Sequence, residues 1–150
     1  MFERFARTAR TAVEDATYEA RRRGDRRVGS EHLLIAVLED DALAARVGVD
    51  AASARAAADR LDQTALAAIG LDLGEFGATP VNAAASSRVA LTSGAKAVLQ
   101  QSLAKAAGEK SRTITTRHMM LALLDRDAPD PAAALIEALE VTPDELRARL

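Results

Sequence analysis

The 150-residue sequence has no cysteine, no tryptophan, one tyrosine and three phenylalanines. Without cysteine there are no disulfides and no zinc–thiolate sites, and a cytoplasmic address is favoured. No apolar run approaches the ~18 residues of a membrane-spanning helix, which argues against a membrane protein. The opening MFERFARTAR lacks the apolar stretch of a secretory signal. Neither charge dominates: 20 basic and 22 acidic residues leave a net −2, so no global field gathers nucleic acid. The aromatics on which single-stranded nucleic acid would stack are also scarce. No G-x-x-x-x-G-K-[ST] phosphate loop occurs, which excludes ATP hydrolysis by that route. No polar catalytic cluster stands out, so the expectation is a non-enzymatic chain with no cofactor and no metal.

What is abundant is alanine, with leucine and valine, in a chain that is 49% hydrophobic. Alanine is the best helix former and lets helix axes approach closely. Runs of β-branched residues alternating with polar ones are nearly absent, so the fold class is all-α. Phe2, Phe5, Ala9, Ala12, Val13, Ala16 and Ala20 form one stripe of a helix over 2–22, which Gly24 ends. Ser30 reads as the N-cap of a second helix over 31–39, with Glu31 in its first turn near the positive end of the dipole. A short helix over 42–47 stops at Gly48, and Asp50 caps another running to Ile69. Residues 70–90 carry three glycines and a proline and read as a linker. Helices resume over 93–107, 116–126, 131–139 and 143–150. Asp130-Pro131 and Thr142-Pro143-Asp144-Glu145 are strong start signals.

Four helices, a linker and four helices suggest a duplication. Phe5–Asp41 overlies Leu91–Asp127 without a gap, at an offset of 86 residues. Ala9/Ala95, Ala20/Ala106, His32/His118, Ala36/Ala122 and Leu38/Leu124 are identical, and VGSEHLLIAVL echoes ITTRHMMLALL. Two copies are too few for a solenoid. The expected architecture is a compact eight-helix globule of two pseudo-twofold-related four-helix repeats, with repeat one at 1–70, the linker at 71–90 and repeat two at 91–150.

MFERF, the run from Glu19 to Gly24, VGSEHLLIAVL and ALTSGAKAVLQQSLAKA together resemble the Clp ATPase N-terminal repeat domain, in particular its ClpC type. The resemblance covers essentially the whole chain. It implies a module that binds substrates and adaptor proteins ahead of ATPase motors, acting as a monomer, with proteins or peptides as partners and neither nucleic acid nor membrane. The divergent second repeat and the alanine-rich drift fit a free-standing paralogue, and the alternative role is a decoy that sequesters ligands aimed at the full unfoldase. The family's reading of phosphorylated arginine uses, in each repeat, a threonine after the first-helix phenylalanine and the glutamate of a G-T-E-H motif. A carboxylate grips the guanidinium, while a hydroxyl and free N–H groups at a helix start hold the phosphate. Carried over, repeat one keeps Glu31 but has Ala6, and repeat two keeps Thr92 but has Arg117. The expectation is two half-sites, each lacking one part. The resemblance also implies an apolar groove between the repeats, at Phe2, Leu91 and Lys96, that takes cyclic-peptide natural products. Leu91 stands there in place of the family's phenylalanine.

Other features have simpler readings. His32 and His118 recur at one repeat position without cysteine or a compact carboxylate cluster, so they are expected to be buried and hydrogen-bonded and not to ligate a metal. Ser30-Glu31-His32 is no catalytic triad, because neighbours at a helix start point in different directions. The basic run Arg21–Arg27 reads as a solvated loop or, functionally, as a surface for an acidic adaptor.

Overall fold

The computed structural model describes residues 2–70 and 90–150, without the side chain of Phe2. Among these residues the fold is all-α, with eight α-helices in two four-helix repeats. After a 3-10 turn at Phe2–Arg4 come α1 (Arg7–Arg22), α2 (Ser30–Val37), α3 (Asp41–Val47) and α4 (Ala51–Ala68). The second repeat comprises α5 (Ser93–Gly108), α6 (Thr116–Leu124), α7 (Pro131–Ala138) and α8 (Pro143–Ala148). Two-residue strands, β1 (Arg27–Val28) and β2 (Ala90–Leu91), pair in parallel. The linker expected at 71–90 lies outside the described residues except for Ala90.

The first helix begins later than the apolar stripe suggests. The chain is extended at Phe5–Ala6, where Ala6 N donates to Ile114 O and Ile114 N donates to Arg4 O, both at 2.8 Å. Backbone groups engaged across the molecule are not free to close helical turns, so α1 starts at Arg7. It then buries Ala9, Ala12, Ala16 and Ala20. Helix α2 is also capped differently from the expectation. Its N-cap is Gly29, whose N–H is accepted by His32 Nδ1 at 2.9 Å. The Ser30 hydroxyl instead donates to Asp130 Oδ1 in the other repeat.

The remaining start signals act locally. Asp40 Oδ1 accepts the N–H groups of Ala42 and Leu43, and Asp50 accepts that of Ser53. Thr142 and Glu145 close a reciprocal box. Side-chain oxygens here satisfy donors that a helix start leaves without intrahelical partners. Gly48 ends α3 in the left-handed region at φ 75°, where a Cβ would be strained.

Helices α2 and α6 are the centre of the molecule. Leu33 through Val37 on α2 are all buried, as are Met119, Met120, Ala122, Leu123 and Leu124 on α6. A helix apolar on every side needs cover on every side. Helix α1 packs on α2, α5 packs on α6, and the two central helices touch.

The halves meet by reciprocal exchange. Val28 pairs with Leu91, and Phe5 bridges Ile114. The offset of 86 carries Phe5 onto Leu91 and Val28 onto Ile114. Each pairing is therefore the other with the repeats interchanged, as in an isologous twofold interface. The hydroxyl contacts repeat the rule. Ser30 at the start of α2 donates to Asp130, the N-cap of α7, and Thr116 at the start of α6 donates to Asp40, the N-cap of α3.

Candidate functional site

The exchange decides which side chains meet. Thr92 N donates to Val28 O at 2.9 Å, immediately after the β1–β2 pairing. The chain that follows β1 therefore faces the chain that follows β2. A cleft of about 350 Å³ opens between them, lined by Gly29, Glu31, Thr92, Gly94, Arg126 and Asp130 among others. Glu31 comes from the first turn of α2, and its side chain is 27% exposed. Its Oε2 is nevertheless buried and has no hydrogen-bond partner. A buried carboxylate oxygen without a donor is costly, and such groups are rare in folded proteins. The carboxylate folds over Gly29, so an ideal Cβ there would lie 2.1 Å from Oε2.

Opposite Glu31, Thr92 caps α5 by accepting Ala95 N at 3.1 Å. The first turn of α5 contains no acid and presents the positive end of a 16-residue helix. Gly94 keeps this turn open, because a Cβ there would lie 2.9 Å from Asp130 Oδ2. Arg126 Nε donates to the same Oδ2 at 2.9 Å. The cleft thus has on one wall a carboxylate with one unpartnered oxygen, and on the other the start of α5 beside the Arg126–Asp130 ion pair. That arrangement suits a ligand bearing a cation next to an anion.

The structure groups the residues of the two expected half-sites differently from the sequence reading. Glu31 and Thr92, the two retained groups, share one cleft although they belong to different repeats. Ala6 and Arg117 belong to the other side of the exchange, where Ala6 N bonds Ile114 O. There α1 has no side-chain cap. Arg117 donates to Glu109 Oε1 at 2.7 Å and to Leu150 O at 3.1 Å. The expectation kept each threonine with the glutamate of its own repeat, whereas the β1–β2 pairing sets the start of α5 against the start of α2. Arg126, Gly29 and Gly94 were not singled out in the sequence, and Asp130 was marked only as a helix start. Arg126 had a detectable signal, since the offset of 86 places it over Asp40.

A second, apolar groove of about 250 Å³ lies between the repeats, lined by Phe5, Leu91, Lys96, Leu99, Leu103 and Ile114 among others. It brings together two of the three groove residues expected from the sequence, Leu91 and Lys96. The side chain of the third, Phe2, lies outside the described residues. Leu103 leaves a large apolar surface exposed at its edge.

The histidines have matching environments. His32 Nδ1 accepts Gly29 N at 2.9 Å, and His118 Nδ1 accepts Thr115 N at 3.0 Å. Their Nε2 atoms meet Asp25 Oδ2 at 2.8 Å and Glu109 Oε2 at 2.9 Å. An Nδ1 that accepts an N–H has no proton of its own, so the neutral ring carries its proton on Nε2 and donates it to the acid. Among the described residues, the one group with metal-ligand character is Asp25, Glu31 and His32. The tautomer opposes a metal there, since neither ring nitrogen has a free lone pair. Glu109 is held below the usual glutamate value of 4.5 by its bonds to Arg117 and then His118.

The sequence pattern of the Clp repeat (R) N-terminal domain matches residues 4–76 and 90–150. This chain belongs to that family. Clp N-terminal domains are non-catalytic modules that bind substrates and adaptors of Clp and Hsp100 chaperones. The N-terminal domain of the ClpD chaperone from Arabidopsis thaliana has a similar fold, with TM-score 0.73 and 19% identity over 99% of this chain and 93% of that one. A chain from a malarial protein secretion system superposes with TM-score 0.67 and 17% identity, over 97% of this chain and 90% of that one. The Hsp104 N-terminal domain from Candida albicans gives TM-score 0.68 and 15% identity, over 98% of this chain and 89% of that one. No curated protein matches the sequence.

In this Clp repeat domain the basic run is partly consumed by ion pairs. Arg23 reaches Asp59 at 2.7 Å and also Asp62, while Arg22 reaches Glu19 at 3.2 Å. Glu19 is only 2% exposed and is also bound by Arg55, which bridges to Glu39. The network fastens α1 to α4. Among the described residues, no helix is long and apolar enough to cross a membrane.

Proposed function

We propose that this domain binds protein substrates or adaptors of a Clp proteolytic system through one charged cleft, which takes a phosphorylated arginine side chain. The supporting observation is the buried, unpartnered Oε2 of Glu31, a residue that lines one cleft together with Thr92, the cap of α5. A guanidinium supplies the missing donors, and its phosphoryl group meets the helix N-terminus. The opposite side of the exchange has neither Thr92's hydroxyl nor Glu31's charge, so one site is expected per chain. Titration calorimetry with free phosphoarginine tests this, with Glu31→Gln as the control. Loss of one charge-assisted partner costs about 1.5–3 kcal/mol, or roughly ten- to hundredfold in affinity. Two equivalent sites, or unchanged affinity in the variant, would refute the reading.

A second reading rests on the apolar groove at Leu91 and Lys96, which suits cyclic or extended hydrophobic peptides with an acceptor carbonyl for the lysine. Either surface would serve a feeder module or a free decoy. Adding the isolated domain to a degradation assay separates the roles: a decoy slows degradation of a phosphoarginine-bearing substrate by a Clp unfoldase, in proportion to the domain added.

A further inference from the structure

The apolar groove carries charge of one sign only. Its wall on α5 is a stripe of Lys96, Leu99, Gln100 and Leu103, residues three and four apart that share one helix face. The offset of 86 carries Arg10, Val13, Glu14 and Thr17 of α1 onto these four positions. Both stripes keep the cation, but the first repeat has an acid and a threonine where the second has an amide and a leucine. Arg4, from the 3-10 turn, also lines the groove. The charged lining residues are thus Arg4 and Lys96, and among the described residues no acid joins them. Glu3, next to Arg4 in the chain, is exposed and not part of the lining. Neither the Arg4 nor the Lys96 side chain has a hydrogen-bond or ion-pair partner among the described residues. Both are exposed, whereas Phe5, Leu99 and Ile114 form a buried floor.

We propose that this groove selects extended protein segments in which acidic residues alternate with apolar ones, and discriminates against basic segments of equal hydrophobicity. The inference rests on the reading that the groove binds peptides, and adds the charge of the ligand. An apolar floor alone accepts any hydrophobic side chain, whatever stands beside it. Two cations without partners change that, because they attract carboxylates and repel lysine or arginine on the incoming chain. In an extended segment successive side chains point to opposite sides. Apolar residues turned to the floor leave the alternate residues pointing outward, where the long, exposed Arg4 and Lys96 side chains can reach them. A chain end brings one carboxylate, whereas alternating acids bring one for each cation. The α1 stripe would not select in this way, since Glu14 stands there beside Arg10 and repels an incoming acid.

The test is fluorescence anisotropy with short labelled peptides, capped at both ends, in which leucine alternates with glutamate, glutamine or lysine. A further copy of the glutamine peptide keeps a free C-terminal carboxylate. At low salt the glutamate peptide should bind roughly three- to tenfold tighter than the glutamine copy, as two exposed ion pairs allow, and the lysine copy should bind weakest. Raising the salt should shrink these differences and spare the glutamine copy. Arg4→Gln and Lys96→Gln should each reduce the preference for glutamate and together abolish it, with thermal melts establishing that the variants are folded. Arg60→Gln removes an exposed cation on α4 and should leave the preference intact. Leu103→Ser should weaken every peptide by a similar factor. Equal binding of the glutamate and glutamine peptides, or an equal effect of Arg60→Gln and Lys96→Gln, overturns the charge selection while the groove stands. A preference seen only for the free carboxylate overturns the alternating segment as the occupant. If no peptide binds, or Leu103→Ser changes nothing, the groove reading itself falls and takes the inference with it.

Discussion

Replacing Gly29 by alanine should separate the binding conformation of Glu31 from the stability of the fold. Gly29 has φ −97° and ψ 175°, an extended geometry open to any residue, so alanine meets no backbone strain. Its added Cβ, however, would stand 2.1 Å from Glu31 Oε2, 2.8 Å from Cδ and 3.0 Å from Oε1. The obstructing atoms are the end of a flexible side chain, so the carboxylate moves and the backbone need not. Two stability effects oppose each other. Alanine is a poorer N-cap than glycine, by an amount of order 1 kcal/mol or less, while it lowers the entropy of the unfolded chain by about 0.4–1 kcal/mol. The net change should be within about 1 kcal/mol. The carboxylate, displaced from the cleft, should no longer serve the guanidinium. Phosphoarginine affinity should then fall roughly ten- to hundredfold, as expected for a lost charge-assisted partner. Calorimetry measures the affinity, and urea denaturation measures the stability. A variant of normal stability that binds like the parent would refute the claim that this Glu31 conformation makes the site.

His32→Ala removes the acceptor of the buried Gly29 N–H, and urea denaturation should show a loss of about 1–3 kcal/mol from the orphaned donor, with a further loss from the cavity. Acid titration tests Glu109: because its folded value lies below 4.5, its contribution is present above that pH and disappears as pH falls through the lowered value, so Glu109→Gln should flatten the acid limb of the stability curve. Asp125 behaves in the same sense, since burial raises its carboxyl but its bonds to Lys105 and Arg147 outweigh that effect, and Asp125→Asn should also reduce stability loss on the acid side. Leu91→Phe enlarges the apolar wall of the groove and should tighten a hydrophobic cyclic peptide by up to about tenfold in fluorescence anisotropy, through added apolar burial; an unchanged affinity would count against the groove.

Local chemistry made much of this protein readable in its sequence. Asp50, Thr142 and Asp130-Pro131 announce helix starts because an oxygen close in sequence satisfies the adjoining N–H groups, whatever lies elsewhere. Gly48 announces a stop because its left-handed conformation is local. The gapless offset of 86 marked the duplication, and the paired histidines share an internal geometry because each ring reaches an N–H only three residues away. Phe5, Ser30 and Glu31 could not be read in the same way. Phe5 belonged to the stripe of a helix, yet its flanking backbone bonds go to Ile114; Ser30 looked like a cap, yet its hydroxyl goes to Asp130. Both partners lie about a hundred residues away in sequence, beyond any local pattern. The partner of Glu31 across the cleft was the largest such question. Either repeat could have supplied the threonine, and the sequence treats the two choices alike. The β1–β2 pairing brings Thr92 against Val28, so Thr92 and Glu31 line one cleft although they belong to different repeats, while Ala6 N bonds Ile114 O on the other side of the exchange.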